Sequence, residues 1–234
     1  MRIRRKPWAR PELAACPYFY ENPAANRGSW QRVIASPKPI HLDLGCGKAV
    51  FLADIACENP EIQYLGVDIS LDMLGVARRN LETRFRPNPV SNVSLFSYNI
   101  EKLDEVLTET DGVERIYVNF CNPWPKAGDH KKRLIHPRQL AVYKKLLKPG
   151  AEIWFKTDNM DLYLASLRYF EEAGLPVFFQ TQDLHQEKGI ENHLTEHEIM
   201  FTARGISTKA VRARFNGEEE EKHAGQTHQE ESGK

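Results

Sequence analysis

Between Pro37 and Arg214, short apolar runs alternate with stretches of helical spacing, and this alternation limits the fold more than any other feature. Ile40-His-Leu-Asp-Leu44 reads as a strand closed by Gly45-Cys-Gly47. Residues 48–59 carry Val50, Phe51 and Ile55 at helical spacing and stop before Pro60. The next strand, 62–67, ends at Asp68, and Ser70 is placed to cap a helix bearing Leu71, Leu74 and Val76. Further strands are expected at 93–97, 115–120, 151–155 and 177–181, with helices at 140–147 and 162–172. Strands and helices in this order make a doubly wound α/β sheet, mostly parallel.

Charge divides the chain. The formal net charge is zero, yet residues 217–234 hold six Glu against two Lys, which leaves residues 1–216 with 30 basic against 26 acidic side chains. That tail has too little apolar area to offset its ordering entropy and is expected to be disordered. Residues 1–36 lack clean periodicity and read as a basic N-terminal arm, so the folded domain is expected at 37–216. From Lys126 to Lys148 eight Lys or Arg face one acid, Asp129, which suits a polyanion through counterion release and equally suits a solvated helix face. No run reaches the roughly 20 apolar residues of a membrane helix, and no apolar segment follows the basic start. Four cysteines form no C-x-x-C pair, which argues against a zinc knuckle and a disulfide-stapled secreted domain; the expectation is a cytoplasmic protein.

Ligands in such a sheet bind at the carboxyl ends of the strands, beside the point where the strand order reverses. That selects Asp43-Leu-Gly45-Cys-Gly47, Asp68, Tyr98-Asn99-Ile100 and Asn119-Phe-Cys-Asn122-Pro-Trp124-Pro. Gly45 and Gly47 clear space for a ligand, and Asp68 lies where an acid accepts hydrogen bonds from ribose hydroxyls. The third glycine of the dinucleotide fingerprint is absent, and Asp43 would repel a pyrophosphate while suiting the cation of S-adenosylmethionine. A dehydrogenase and a merely structural turn remain open on this pattern. Asn122-Pro-Trp124 offers a side-chain acceptor and a stacking face to a base, or else a proline-rich turn with Trp124 in the core. Thr195-Glu-His-Glu198 is, by itself, also a capping box.

Four segments together resemble the bacterial tRNA (guanine-N7-)-methyltransferases over roughly residues 40–214: Asp43-Leu-Gly-Cys-Gly-Lys48; Tyr117-Val-Asn-Phe-Cys-Asn-Pro-Trp-Pro-Lys126 with His130-Lys-Lys-Arg133; Phe155-Lys-Thr-Asp158; and Thr195-Glu-His-Glu198 with Phe201. The resemblance implies a class I, Rossmann-like methyltransferase sheet with a last antiparallel strand, and methyl transfer from S-adenosylmethionine to N7 of a guanine in the tRNA variable loop (position 46). It assigns Asp43, Asp68, Asn99 and Asn122 to the cofactor, and Gly45, Gly47 and Ile100 line the same strand ends. It assigns Lys126, Asp158, Thr195, Glu196, His197 and Glu198 to the RNA substrate, with Asn122 as the catalytic position. The basic segment then supplies phosphate contacts at Lys131, Lys132 and Arg133, with Arg2, Arg4, Arg5 and Lys6 as a second set. No metal is expected, and the family includes monomers and homodimers.

Three positions depart from the family pattern. Asp43 replaces the usual Glu, His197 the usual Tyr, and Asn122 the usual Asp. The last does not by itself disable methyl transfer: guanine N7 has an in-plane lone pair and no proton, so no general base is needed. Two rivals remain, a methyltransferase acting on an exocyclic amine and a non-catalytic RNA-binding scaffold of the same fold. Cys46 and Cys121 are expected to be inert and His130 and His136 to solvate or cap. His185 and His193 lack a partner at metal-ligand spacing.

Overall fold

Strand β1 (Ile40–Leu44) is buried along its whole length, as a central parallel strand covered on both faces must be. The computed structural model describes residues 5–34 and 37–217; Arg2, Arg4 and the acidic tail beyond Gly217 lie outside them. After β1 the chain runs through α2 (Val50–Glu58), β2 (Gln63–Asp68), α3 (Leu71–Phe85), β3 (Val93–Ser97) and β4 (Val113–Asn119). It continues through α4 (Pro137–Lys144), β5 (Leu147–Thr157), α5 (Met160–Glu172), β6 (Val177–Thr181), α6 (Glu196–Thr202) and β7 (Lys209–Arg214). The sheet order is β3-β2-β1-β4-β5-β7-β6, with β7 antiparallel to both neighbours and the first five strands parallel. The expected mostly parallel sheet with a last antiparallel strand is therefore found. The order reverses between β1 and β4, so the carboxyl ends of those two strands frame the crevice.

Alternation along the strands sorts side chains into two cores. Leu42, Leu44 and Val118 face a cluster with Leu140, Tyr143 and Phe170, whereas Tyr117 and Trp154 face a cluster with Phe51, Leu52 and Leu81. Ser70 Oγ accepts from the Met73 amide at 3.3 Å, so the expected cap of α3 forms. No helix among the described residues is long and apolar enough to cross a membrane.

One local expectation is corrected. The Lys148-Pro-Gly150 stretch does not end a helix at Leu147: α4 stops at Lys144, and β5 starts at Leu147 and carries Pro149 and Gly150 within it, exposed, where its register with β4 shifts. A proline is tolerated there because the irregularity needs no ladder bond from it. Residues 5–34 pack against the domain. Helix α1 (Ala9–Ala14) seats Ala9 against Gly75 of α3, where a Cβ would lie 2.5 Å from that of Ala9. Tyr20 N–H donates to Leu95 O and Leu95 N–H to Tyr18 O, extending the edge at β3. Trp30 is fully buried, its Nε1 donating to Val106 O at 3.0 Å. These anchors are isolated apolar residues between irregular turns, so periodicity does not reveal them.

Candidate active site

The turn after β1 is built on left-handed backbone. Gly45 and Gly47 have φ of 78° and 55°, and their amides are spent on β2: Gly45 and Cys46 N–H both donate to Val67 O, and Gly47 N–H donates to Asp68 Oδ2 at 3.1 Å. The other oxygen of Asp68 accepts from the Ser70 amide at 2.8 Å. Asp68 thus ties the glycine turn to the end of β2. Burial raises its pKa, and these backbone donors oppose that rise. Asp43 lies on the same face as Tyr117, only 3% exposed, and its carboxylate has no hydrogen-bond partner among the described residues. Burial, and then the charge of Asp68, push the Asp43 carboxyl up to about 7. Two carboxylates sharing a desolvated crevice favour a cationic ligand. Ile69, next to Asp68, is 73% exposed, which the fold does not require of a large apolar residue. Sequence reasoning passed over it, although an apolar residue directly after a strand-ending acid was the available signal. Asn99 is exposed at the end of β3, its Oδ1 accepting from Glu101 N–H, and Ile100 is partly buried beside it.

Beyond β4 the backbone is strained on both sides of Asn122. Phe120 and Trp124 have φ of 51° and 43°, a region that non-glycine residues enter at a cost and that clusters at functional sites. Asn122 is exposed, and its Oδ1 accepts from the Trp124 amide at 3.1 Å, closing the turn. Arg133 does not fit the expected phosphate contact. It is 4% exposed, and its guanidinium donates to Pro123 O at 2.8 Å, Trp124 O at 3.4 Å and Tyr169 OH at 3.3 Å. Its fork of donors matches the loop carbonyls, so Arg133 fixes the loop from behind. Lys132 pairs with Asp129 at 2.7 Å and lies 4.8 Å from the Trp124 ring centroid, so Trp124 sits beside the loop's cation and outside the core. Lys126 and Lys131 are exposed.

Helix α6 brings the two halves together. Glu196 accepts from Lys48 Nζ at 2.7 and 3.0 Å, linking α6 to the end of the glycine turn. His197 stacks on Phe120, centroids 5.9 Å apart at 18°, and Phe201 lies 5.8 Å from Phe120. Thr195 and Glu198 form the capping box, and both are buried, so neither is presented to a macromolecule. Glu198, 0% exposed, takes Lys156 Nζ at 3.0 Å, Asn192 Nδ2 at 2.9 Å and His185 Nε2 at 3.0 Å. Lys156 gives its remaining donors to His193 O and Asn192 Oδ1; burial holds its pKa below the usual lysine range, and Glu198 opposes that. Phe120, Phe201 and Lys156 therefore belong to the site, although the sequence reading quoted them only within their segments and gave none of them a role. Asp158 is half-buried at the end of β5, its carbonyl accepting from Lys209 Nζ. A cavity of about 740 Å³ along α5 and β6 touches none of these residues.

This strand order, with an acid-lined glycine turn at its reversal point, is the class I methyltransferase fold. A 16S rRNA methyltransferase, KamB, aligns with TM-score 0.56 at 13% identity over 76% of this chain and 88% of its own; an antibiotic-related methyltransferase does so with TM-score 0.55 at 16% identity and the same coverage. At these identities the likeness is one of fold. A family model described as "Putative methyltransferase" matches residues 37–211. The chain is 48% identical over 211 residues to a tRNA (guanine-N(7)-)-methyltransferase of Clostridium beijerinckii, covering 89% of this chain and 96% of that one. It is 46% identical over 218 residues to one of Ruminiclostridium cellulolyticum, covering 92% of each. The chain belongs to the tRNA (guanine-N7-)-methyltransferase family. The cofactor of this family is S-adenosylmethionine. The crevice fits it: the Asp43 carboxylate is buried and unbonded among the described residues, and a Cβ at Gly45 would meet nothing within 4 Å.

Proposed function

We propose that this cytoplasmic enzyme methylates N7 of a guanine in the variable loop of tRNA. The observation that carries the reading is the strained turn from Phe120 to Trp124, which holds Asn122 exposed beside a crevice lined by Asp43 and Asp68. S-adenosylmethionine supplies an electrophilic methyl group on a cationic sulfur. Asp43 favours its ammonium-bearing end, Asp68 accepts from its ribose hydroxyls, and Asn99, Ile100 and Ile69 flank the adenine side. Because N7 carries no proton, the chain needs no general base; its work is placement and electrostatics. Asn122 offers a carbonyl to the N1–H or N2 amine of the guanine, within a loop that Arg133 holds rigid. Glu196, His197 and Asp158 face the RNA; Thr195 and Glu198 support it by fixing α6. Lys126, Lys131 and Lys132 hold phosphates, which position the RNA without selecting the base.

The test is transfer of labelled methyl to an unmodified tRNA transcript, followed by borohydride and aniline. The reading requires chain cleavage at one guanine. Label that yields no cleavage would indicate an exocyclic amine, and no label at all would indicate a binding scaffold.

A further inference from the structure

Asn119 ends β4, one residue before the strained turn. Its side chain lies on the face shared by Tyr117 and Asp43, because strand residues two apart share a face and Asp43 pairs with Tyr117 in register. Two residues further on, roughly 7 Å at about 3.3 Å per residue, Asn119 stands at the level where β1 gives way to Gly45 and to the open space beside it. On its other side it is in register with Lys156, whose donors are committed to Asn192, His193 O and Glu198.

The Asn119 amide is left over. Its Nδ2 is sealed from water and has no acceptor among the described residues. Three other side-chain atoms share that condition: Arg78 Nε, Asn92 Oδ1 and Thr208 Oγ1. Arg78 still pairs with Glu12 and Glu82, and Asn92 Nδ2 serves three carbonyls, so those groups have a structural use. None of the three ends a strand at the crevice. An orphaned amide in a folded chain calls for a partner that arrives later. The last torsion of Asn is broad and two-fold, so the amide turns its donors to the open edge at little cost.

We infer that Asn119 donates to the carboxylate of the methionine end of S-adenosylmethionine, while Asp43 takes the ammonium on the same carbon. One acceptor and one donor on a single sheet face thus read a zwitterion. This rests on the cofactor assignment and adds a residue to it. The guanine is the weaker candidate for the Asn119 amide, because Asn122, beyond Phe120, is the exposed side chain.

Calorimetric binding of S-adenosylhomocysteine and of its decarboxylated analogue to the full chain tests this. Asn119→Ala is expected to weaken S-adenosylhomocysteine about 10- to 100-fold, the range of one charge-assisted hydrogen bond, and to change the analogue less than about twofold. Asn119→Asp is expected to weaken S-adenosylhomocysteine further by like-charge repulsion, and not the analogue. An equal loss for both ligands, or none for either, overturns the inference. A loss confined to the tRNA KM would assign the amide to the base. Wild-type protein that bound neither ligand would instead overturn the cofactor assignment itself.

Discussion

Replacing Lys156 by Met isolates what holds α6 in place. The substitution keeps the length of the stem and removes three donors, those to Glu198, His193 O and Asn192. Breaking a buried ion pair by removing one partner costs about 3–5 kcal/mol. Glu198 would remain fully buried but still accept from Asn192 and from the Thr195 amide and lie beside His185, which puts the cost at the lower end, about 3 kcal/mol. That loss falls locally, because a helix of seven residues is far too short to persist without its tertiary ties. At roughly 1.4 kcal/mol per tenfold, opening of the α6 segment becomes about 100-fold more frequent. Hydrogen exchange reads this: protection of the Ile199 and Ala203 amides, bonded to Thr195 O and Ile199 O, should drop by that factor, while Gln63 and Tyr64 in the sheet keep theirs. The kcat/KM for tRNA should fall with it, since His197 would leave Phe120, and S-adenosylhomocysteine affinity should stay within about twofold. Pairing Lys156→Met with Glu198→Leu should restore much of the protection. A change in α6 exchange below about threefold, or equal losses in the sheet, would refute the reasoning.

Burial and Asp68 raise Asp43 to about 7 from 3.8, so between those values the folded chain binds a proton that the unfolded chain has released, and stability falls as pH rises through that window. A cation at Asp43 lowers that pKa. S-adenosylhomocysteine should therefore bind with proton release and tighten from about pH 6 to about pH 8, an effect lost in Asp43→Asn; a flat or opposite profile contradicts it. Arg133→Met should lower kcat by unpinning the turn and leave the salt slope of tRNA binding unchanged, whereas Lys131→Gln should remove about one phosphate contact, a log–log change of roughly 0.7–0.9; a slope altered by Arg133→Met would return that residue to the RNA surface. Asn122→Asp should raise kcat by the gain of a charged over a neutral hydrogen bond, about 1–2 kcal/mol; a thousandfold rise would mean the native Asn cripples the site.

The strand ends were legible because parallel strands are apolar throughout and stop at the residues that serve ligands: Asp43, Asp68, Asn99 and Asn122 all stand where the pattern put them. What stayed hidden was which charges face inward. Lys131, Lys132 and Arg133 look alike in a basic run, yet only Arg133 meets three acceptors and is buried. Glu196 and Glu198 are two residues apart in one motif, one exposed on Lys48 and the other sealed on Lys156, and only which lysine each one meets separates them. Trp30 enters the core from an irregular segment without periodicity, and β5 runs through a Pro-Gly stretch that reads as a stop. Each depends on a contact distant in sequence.

Two tRNA transcripts that differ only in the variable-loop purine, guanine in one and adenine in the other, test the central claim directly when incubated with the purified chain and labelled S-adenosylmethionine. The account predicts about one methyl per guanine-bearing transcript at saturation, located at N7 of that residue, and background label in the adenine-bearing one. Equal labelling of the two transcripts, or a methyl group found on an exocyclic nitrogen, would contradict it.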